Sequence, residues 1–294
     1  MHDVSALVQI GITTKNRWDD LRVTLEKIRD FGLGELSIVI FDDHSDEPCP
    51  YDVRELCSNA QLTRFDTSRG LIVRRNEIAQ AMTAKYYLSL DDDSFPSAGS
   101  LEAAVDYAES LTDNFCLGFP ICAPRLGAGI DEPLQASPSL VRAYTGCAHL
   151  LDRQRFLDIG GYRGELIHQG EESEAAVRAF QQRLFCRHFP GFQITHMATS
   201  VARSMDRIEY YGVRNTLLWN DWYLPPPKKL VKQGRAIALR VYKLAVTWRS
   251  RRVNGSLAGL KGSLAGLKDI RRYKAYRQPL SPEQYREWQK LPLS

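Results

Sequence analysis

The chain has 294 residues, 44% hydrophobic and 25% charged, enough to bury one large domain with an appendage or two small domains. No apolar run reaches bilayer-spanning length and no signal-peptide pattern opens the chain; its six cysteines (Cys49, Cys57, Cys116, Cys122, Cys147, Cys186) lack Cys-x-x-Cys spacing, which favours free thiols in a reducing cytosol over disulfides or zinc. The net charge of +4 hides a division: residues 1–221 carry 22 Lys+Arg against 32 Asp+Glu, residues 222–294 carry 17 against 3. An acidic body is joined to a strongly basic tail, so the two are expected to meet different partners.

Leu7 to Thr13 is a near-continuous apolar run, the pattern of a strand buried on both faces of a parallel sheet. It ends in the polar turn Thr14-Lys15-Asn16-Arg17, after which Leu21, Leu25, Ile28 and Phe31 recur at helical spacing. A second strand, Leu36 to Phe41, runs into Asp42-Asp43-His44-Ser45, and a third lies around Leu62–Phe65. A helix after Arg69-Gly70 carries Ile72, Ile78, Ala79 and Met82. The aromatic-rich strand Tyr86–Leu90 then breaks into Asp91-Asp92-Asp93, with a turn expected at Pro96. Three adjacent carboxylates repel one another and are costly to bury, so at a strand end they point to a hard divalent cation with oxygen ligands.

Alternation of strand and helix predicts an α/β fold, a Rossmann-like, mostly parallel sheet flanked by helices. In such sheets ligands gather outside the carboxyl ends of the strands, where the three polar clusters fall. Neither Gly-x-Gly-x-x-Gly nor a Walker A motif is present, which disfavours nicotinamide and P-loop enzymes.

The ordered set Thr13-Thr14-Lys15-Asn16-Arg17, Asp42-Asp43-His44-Ser45, Arg69-Gly70 with Arg75-Asn76, and Asp91-Asp92-Asp93 resembles the family 2 glycosyltransferases of the GT-A fold. The resemblance extends over about residues 6–200 and implies a metal-dependent, inverting transfer of a sugar from a nucleotide-diphosphate sugar to a hydroxyl acceptor. A UDP-sugar is the default donor, with dTDP- and GDP-sugars as alternatives, and Mg²⁺ or Mn²⁺ as cofactor. Thr13, Asn16, Arg17, Asp42 or Asp43, Arg69, Arg75, Asp91 and Asp92 are the implied donor-side residues. Asp91 and Asp93 bracket ribose and metal, with Asp93 favoured as the direct ligand.

Further along, Leu101 to Ala108 reads as a helix, Phe115–Phe119 as a strand, and the Gly/Pro-rich 123–140 as a loop able to fold over donor. Gly160-Gly161-Tyr162 followed by Gly170-Glu171-Glu172 resembles the family's acceptor-side segment, with Glu172 where Asp is usual. Glu172 matches the position of the base, Glu171 the position that orients the acceptor, and the assignment between them stays open. A strand ending at His196 resembles the family's late metal-ligand histidine.

Pro225-Pro226-Pro227 divides a domain at 1–224, with donor half to about 110, from a basic helical extension at 225–294. In that extension Ile237, Leu244 and Trp248 alternate with Lys232, Arg235, Arg240 and Lys243, and Gly-Ser-Leu-Ala-Gly-Leu-Lys occurs twice in tandem. The segment fits either a helical cap on the acidic body or peripheral binding of residues 228–294 to an anionic membrane surface, which suits a glycan or lipid-linked acceptor. Nucleic acid is not expected. Two alternatives stand beside the enzyme reading. One is a non-catalytic scaffold of the same fold; the other is a nucleotidyltransferase, which the missing glycines in the first turn oppose.

Overall fold

A computed structural model describes residues 3–129, 132–199, 204–226, 228–249 and 254–293, without the side chains of 240, 243–249 and 254–256. The expectations for Arg240, Lys243, Leu244, Trp248 and Pro227 therefore lie outside the described residues.

A short helix α1 (Val4–Leu7) leads into β1 (Val8–Thr14), then α2 (Trp18–Asp30), β2 (Ile38–Asp42), β3 (Ala60–Arg64), α3 (Leu71–Ala81) and β4 (Tyr86–Asp91). This is the strand–helix alternation expected. Strands β1, β2, β3 and β4 pair in parallel, and Ile10, Ile12, Leu88 and Leu90 are wholly or almost wholly buried, because α2 and α3 cover the two faces of the sheet. The register sets Thr13 opposite Asp91 and Thr14 opposite Asp42, which gathers the ends of β1, β2 and β4 on one edge.

After β4 come β5 (Ser94–Gly99), α4 (Leu101–Glu109), β6 (Asn114–Gly118), β7 (Ile121–Cys122), β8 (Ser139–Val141), β9 (Ala148–Asp152) and α5 (Arg153–Asp158). They are followed by α6 (Glu171–Gln181), β10 (Phe185–His188) and β11 (Phe192–His196). The main sheet has eight strands in the order β3-β2-β1-β4-β9-β6-β10-β8, with β9 antiparallel to both neighbours. A three-stranded sheet, β5-β11-β7, brings His196 opposite Ser94. Pro96 does not make the expected turn. It lies in β5, an edge strand, where a residue without an N–H is tolerated, and the pairing with β11 is irregular at that point. Within the expected loop 123–140, a 3-10 turn occupies Pro124–Leu126 and β8 starts at Ser139.

The C-terminal helices are α7 (Met205–Tyr223), α8 (Lys228–Arg249), α9 (Asn254–Arg272) and α10 (Pro282–Lys290). The prolines break the chain between α7 and α8, yet the segment beyond α8 returns to the body. Gly262 and Gly266, from the second copy of the tandem repeat, sit so close to α7 that a Cβ would strike the Tyr210 carbonyl or Leu217. Arg214 pairs with Asp269 at 2.7 Å, and the Gln278 and Leu280 amides donate to the carbonyls of Trp222 and Tyr223, each at 2.9 Å. Leu280, Tyr285 and Trp288 are buried in the same core as Phe180, Trp222 and Tyr223. Residues 254–293 are thus a cap on the body. No helix among the described residues is long and apolar enough to cross a membrane.

Candidate active site

The loop after β1 and the end of β4 are tied together by charge. Arg17 reaches Asp92 at 2.8 Å and Asp93 at 2.7 Å, and its Nη2 also donates to Thr199 Oγ1 at 2.6 Å. Thr14 Oγ1 donates to Asp92 at 2.8 Å, and Thr24 Oγ1 to the Asp92 carbonyl at 2.9 Å. Burial raises the Asp92 carboxyl to about 8, although Arg17 and Thr14 pull the other way. Asp93 has the opposite fate. Burial opposes its charge, but His196, Arg17 and the Thr199 N–H together hold it far below the usual carboxylate range. Thr14 and Thr199, which support these aspartates, carry no sequence signal beyond the Thr-rich first turn.

Asp91, Asp93 and His196 offer ligand atoms that all lie within 4.8 Å of one another. Asp93 Oδ1 is buried, accepts no hydrogen bond, and lies 3.3 Å from His196 Nε2. An unsatisfied carboxylate oxygen facing an imidazole and a second carboxylate is a donor set that fits Mn²⁺ or Mg²⁺.

At the end of β2 the two aspartates divide their work. Asp43 receives Ser68 Oγ at 2.6 Å, the Arg69 and Gly70 amides at 2.7 and 2.9 Å, and Arg74 Nε at 2.7 Å, so its carboxylate is spent on the entrance to α3. Burial opposes its charge, but these donors hold it below the usual range. Asp42 takes the Ser45 amide and hydroxyl on Oδ1 and leaves a buried Oδ2 without a hydrogen bond. Thr13 Oγ1, one strand over, is likewise buried and unpartnered. Asn16, at φ 56°, exchanges side-chain and backbone hydrogen bonds with Asp46 and so stitches the first two loops together. The Arg69 guanidinium is held by Glu77 at 2.5 Å.

Arg75 links the two halves. Fully buried on α3, it donates to Asp91 at 2.6 Å and to the Gly146 carbonyl at 2.7 Å, and its Nη1 lies 3.4 Å from Glu171 and 3.6 Å from Glu172. Its neighbour Asn76 grips the Tyr162 backbone through both amide atoms, each at 2.7 Å, which fastens the Gly-Gly-Tyr turn to α3. Both glutamates open α6 behind Gly170, whose φ of +88° only glycine adopts readily. Gly146 leaves room for Glu172, because a Cβ there would collide with Oε1. Burial and the neighbouring Glu171 raise Glu172 to about 8, and burial raises Glu171 as well, against the pull of Arg75. The Glu172 side chain is 17% exposed against 3% for Glu171, so Glu172 is the one that solvent or a ligand can reach.

Beneath the glutamates runs a polar chain that the sequence reading missed. Tyr144 O–H donates to Tyr162 Oη at 3.1 Å, Tyr162 Oη lies 2.9 Å from His149 Nε2, and His149 Nδ1 lies 3.1 Å from the Thr145 carbonyl. Burial and nearby Arg75 push His149 well below its ordinary value, so the imidazole is neutral, with Nδ1 carrying the proton.

Residues 9–130 match the family described as Glycosyl transferase family 2. A search of curated proteins finds no match to the sequence. Among solved structures the chain is similar to GalNAc-T7 with UDP, GalNAc and Mn²⁺ (16% identity, TM-score 0.59, 74% of this chain and 48% of that one). It is also similar to the mannosyltransferase PcManGT from Pyrobaculum calidifontis with GDP-Man and Mn²⁺ (15%, 0.57, 96% and 78%). A third is S. aureus TarS 1-349 with UDP-GlcNAc (13%, 0.51, 79% and 71%). The chain spans about half the length of the first of these. At such identities the likeness establishes the GT-A fold alone, and the match to the family 2 glycosyltransferases is that of residues 9–130.

Proposed function

We propose that the protein is an inverting glycosyltransferase that uses a nucleotide-diphosphate sugar as donor and a divalent cation as cofactor. The observation that carries the reading is the pairing, through Arg75, of an Asp91–Asp93–His196 cluster with Glu172. Thr13 Oγ1, which is unpartnered, and Asp42 Oδ2, which faces Arg64 Nε at 3.5 Å, are assigned to the base or ribose, since Asp43 is already saturated. Asp91, Asp93 and His196 would hold Mn²⁺ or Mg²⁺, which supplies neutralising charge to the diphosphate leaving group. Arg17 fixes Asp93, and Asp92 braces the loop.

Glu172 is the base. As the acceptor oxygen attacks the anomeric carbon, its proton passes to the Glu172 carboxylate. The bond from that carbon to the diphosphate oxygen breaks, and the electron pair leaves with the nucleotide. Displacement from the face opposite the leaving group inverts the configuration. Glu171 and Arg75 orient the acceptor and balance the charge.

Neighbours of this fold are recorded with UDP, UDP-GlcNAc and GDP-Man, so donors of the UDP and GDP classes are the first to test. We assign the basic helix α8 to an anionic membrane surface near a lipid-linked or polysaccharide acceptor. In its support, Leu230, Val231, Leu239, Val241 and Tyr242 are exposed beside Lys232 and Arg235. Charge reversal of both cations is expected to release the protein from anionic vesicles, and unchanged vesicle binding would remove this assignment.

The function is tested by incubating the protein with UDP-, GDP- and dTDP-sugars and Mn²⁺ and following nucleotide release. Release from one donor class, abolished by EDTA and in Asp93→Ala, supports the reading. Release from none in the presence of polyprenyl-phosphate and glycan acceptors overturns it.

A further inference from the structure

A cavity of about 440 Å³ opens beside the first turn of α6, walled by Ser173, by Thr216, Trp219 and Asn220 of α7, and by Arg142 and Trp288. No residue of the metal cluster lines it, yet Gly170 and Ser173 in its wall flank the two glutamates in sequence. Arg142 lies four residues before Gly146, the glycine that accommodates Glu172. The cavity also needs the C-terminal segment: Trp288 and Leu293 close one side, and the Arg142 amide donates to the Pro292 carbonyl at 2.8 Å.

Its chemistry is that of a site for a ring and an anion. Arg142 Nε is buried without a hydrogen-bond partner, and among the described residues no carboxylate pairs with this guanidinium. A buried Nε without a hydrogen-bond partner is costly, and the planar fork of a guanidinium matches a carboxylate or phosphate. The carboxylate in the wall, Glu174, is already committed to Arg163 at 2.7 Å, to Arg178 at 2.5 Å and to the Tyr223 hydroxyl, so it does not repel an anion as a free one would.

The aromatic rings are fixed in advance. Trp219 donates its indole N–H to the Ser173 carbonyl at 3.3 Å, and Trp288 packs edge-on against Phe180 at 5.1 Å. The loop that feeds α6 is strained, with Ile167 at φ 64° and Gln169 at φ 67°, left-handed values that a β-branched residue rarely adopts. Asn215 holds it there, its amide nitrogen 2.8–2.9 Å from the carbonyls of Leu166, His168 and Gln169. Such strain persists only where the surroundings enforce it, and it clusters where ligands bind.

We propose that this cavity is a subsite for an anionic sugar ring, with its carboxylate or phosphate on Arg142 and the ring against Trp219 and Trp288. The proposal rests on the glycosyltransferase reading and gives the acceptor a class: a uronate or phosphorylated glycan unit, seated against the helix that carries Glu172.

The test is calorimetric titration of the full chain, without nucleotide or metal, using glucuronate, glucose 1-phosphate, glucose and inorganic phosphate. One charged sugar is expected to bind at least ~10-fold more tightly than glucose or phosphate alone, as expected for one charge-assisted hydrogen-bonded contact. The glucuronate and glucose 1-phosphate arms tell carboxylate from phosphate. Arg142→Gln is expected to abolish the preference, and so is Thr216→Glu, which adds a carboxylate at an exposed helical position in the wall and leaves the core intact. If Arg142→Gln fails to fold, Thr216→Glu decides. Equal binding of charged and neutral sugars, or a preference that survives in the variants, overturns the subsite. UDP with Mn²⁺, titrated into the same samples, reads the donor side separately. Nucleotide binding without charged-sugar binding overturns the subsite alone, whereas failure of both overturns the reading beneath it.

Discussion

The end of β4 and the start of α6 each present adjacent carboxylates, and Arg75 touches both groups, but they manage charge in opposite ways. Asp93 meets Arg17, His196 and the Thr199 amide and is held ionised. Glu172 has one cation at 3.6 Å and an acidic neighbour, and it is held towards the neutral form. An ionised group suits the binding of a cation and a diphosphate, and a group that titrates near the working pH suits proton transfer. Carboxylates joined by one arginine thus differ in proton affinity because their surroundings differ, which is what the two proposed roles require.

The largest expected effect falls on the acceptor side. Glu172→Gln removes the proposed base without changing side-chain size and is expected to lower kcat by ~10²–10⁴-fold, with nucleotide affinity unchanged in calorimetry. A Gln variant that turns over like the wild type would move the base to Glu171 and break the contrast.

Arg75→Ala would strip the shared cation from Asp91, Glu171 and Glu172. Removing one partner from a buried charged group costs about 3–5 kcal/mol, read as a lower urea midpoint. A midpoint unchanged from wild type would show that the two sides do not depend on their common arginine.

A pH titration sharpens the comparison further. The rate is expected to rise with pH and level off above about 8, as Glu172 loses its proton, and to lose that rise in Glu172→Gln. Stability runs the other way. The folded protein keeps a Glu172 proton that the unfolded chain releases near 4.5, so this group's contribution is full below that value and is lost as pH rises through about 8. Urea midpoints across this range should decline less in Glu172→Gln than in wild type. Parallel declines would place the raised proton affinity elsewhere.

How far this was legible in the sequence depended on the range of the interactions. The strand ends at Thr14, Asp42 and Asp91 follow from apolar runs that stop at polar clusters, a local signal, and the glutamates fall on the opening turn of a helix as expected. That Asp43 is saturated while Asp42 Oδ2 accepts no hydrogen bond depends on Ser68 and Arg74, more than twenty residues away, and no spacing rule encodes that. The His149–Tyr162–Tyr144 chain was invisible for the same reason: Tyr162 stands out in the Gly-Gly-Tyr turn, but nothing local links it to Tyr144 and His149, more than ten residues before it. Pro96 misled because its local meaning, a turn, was overridden by an edge strand that needs no N–H from it. The tail was ambiguous because composition reports charge and amphipathicity, whereas docking depends on close glycine contacts between α7 and α9.

That docking carries the smallest expected effect. Gly266→Ala would push a methyl into Leu217 and is expected to cost about 1–3 kcal/mol, read as a lower melting temperature with donor binding intact. Loss of nucleotide binding in this variant would mean that the cap and the donor edge are not separable.

The central claim is that the aspartates at the end of β4 hold a donor nucleotide through a divalent cation. Calorimetric titration of UDP and GDP with Mn²⁺ and with EDTA, on wild type and Asp93→Ala, tests it most directly. The account predicts binding of one nucleotide that requires Mn²⁺ and is lost in Asp93→Ala. Nucleotide binding that is indifferent to both EDTA and the substitution would contradict it.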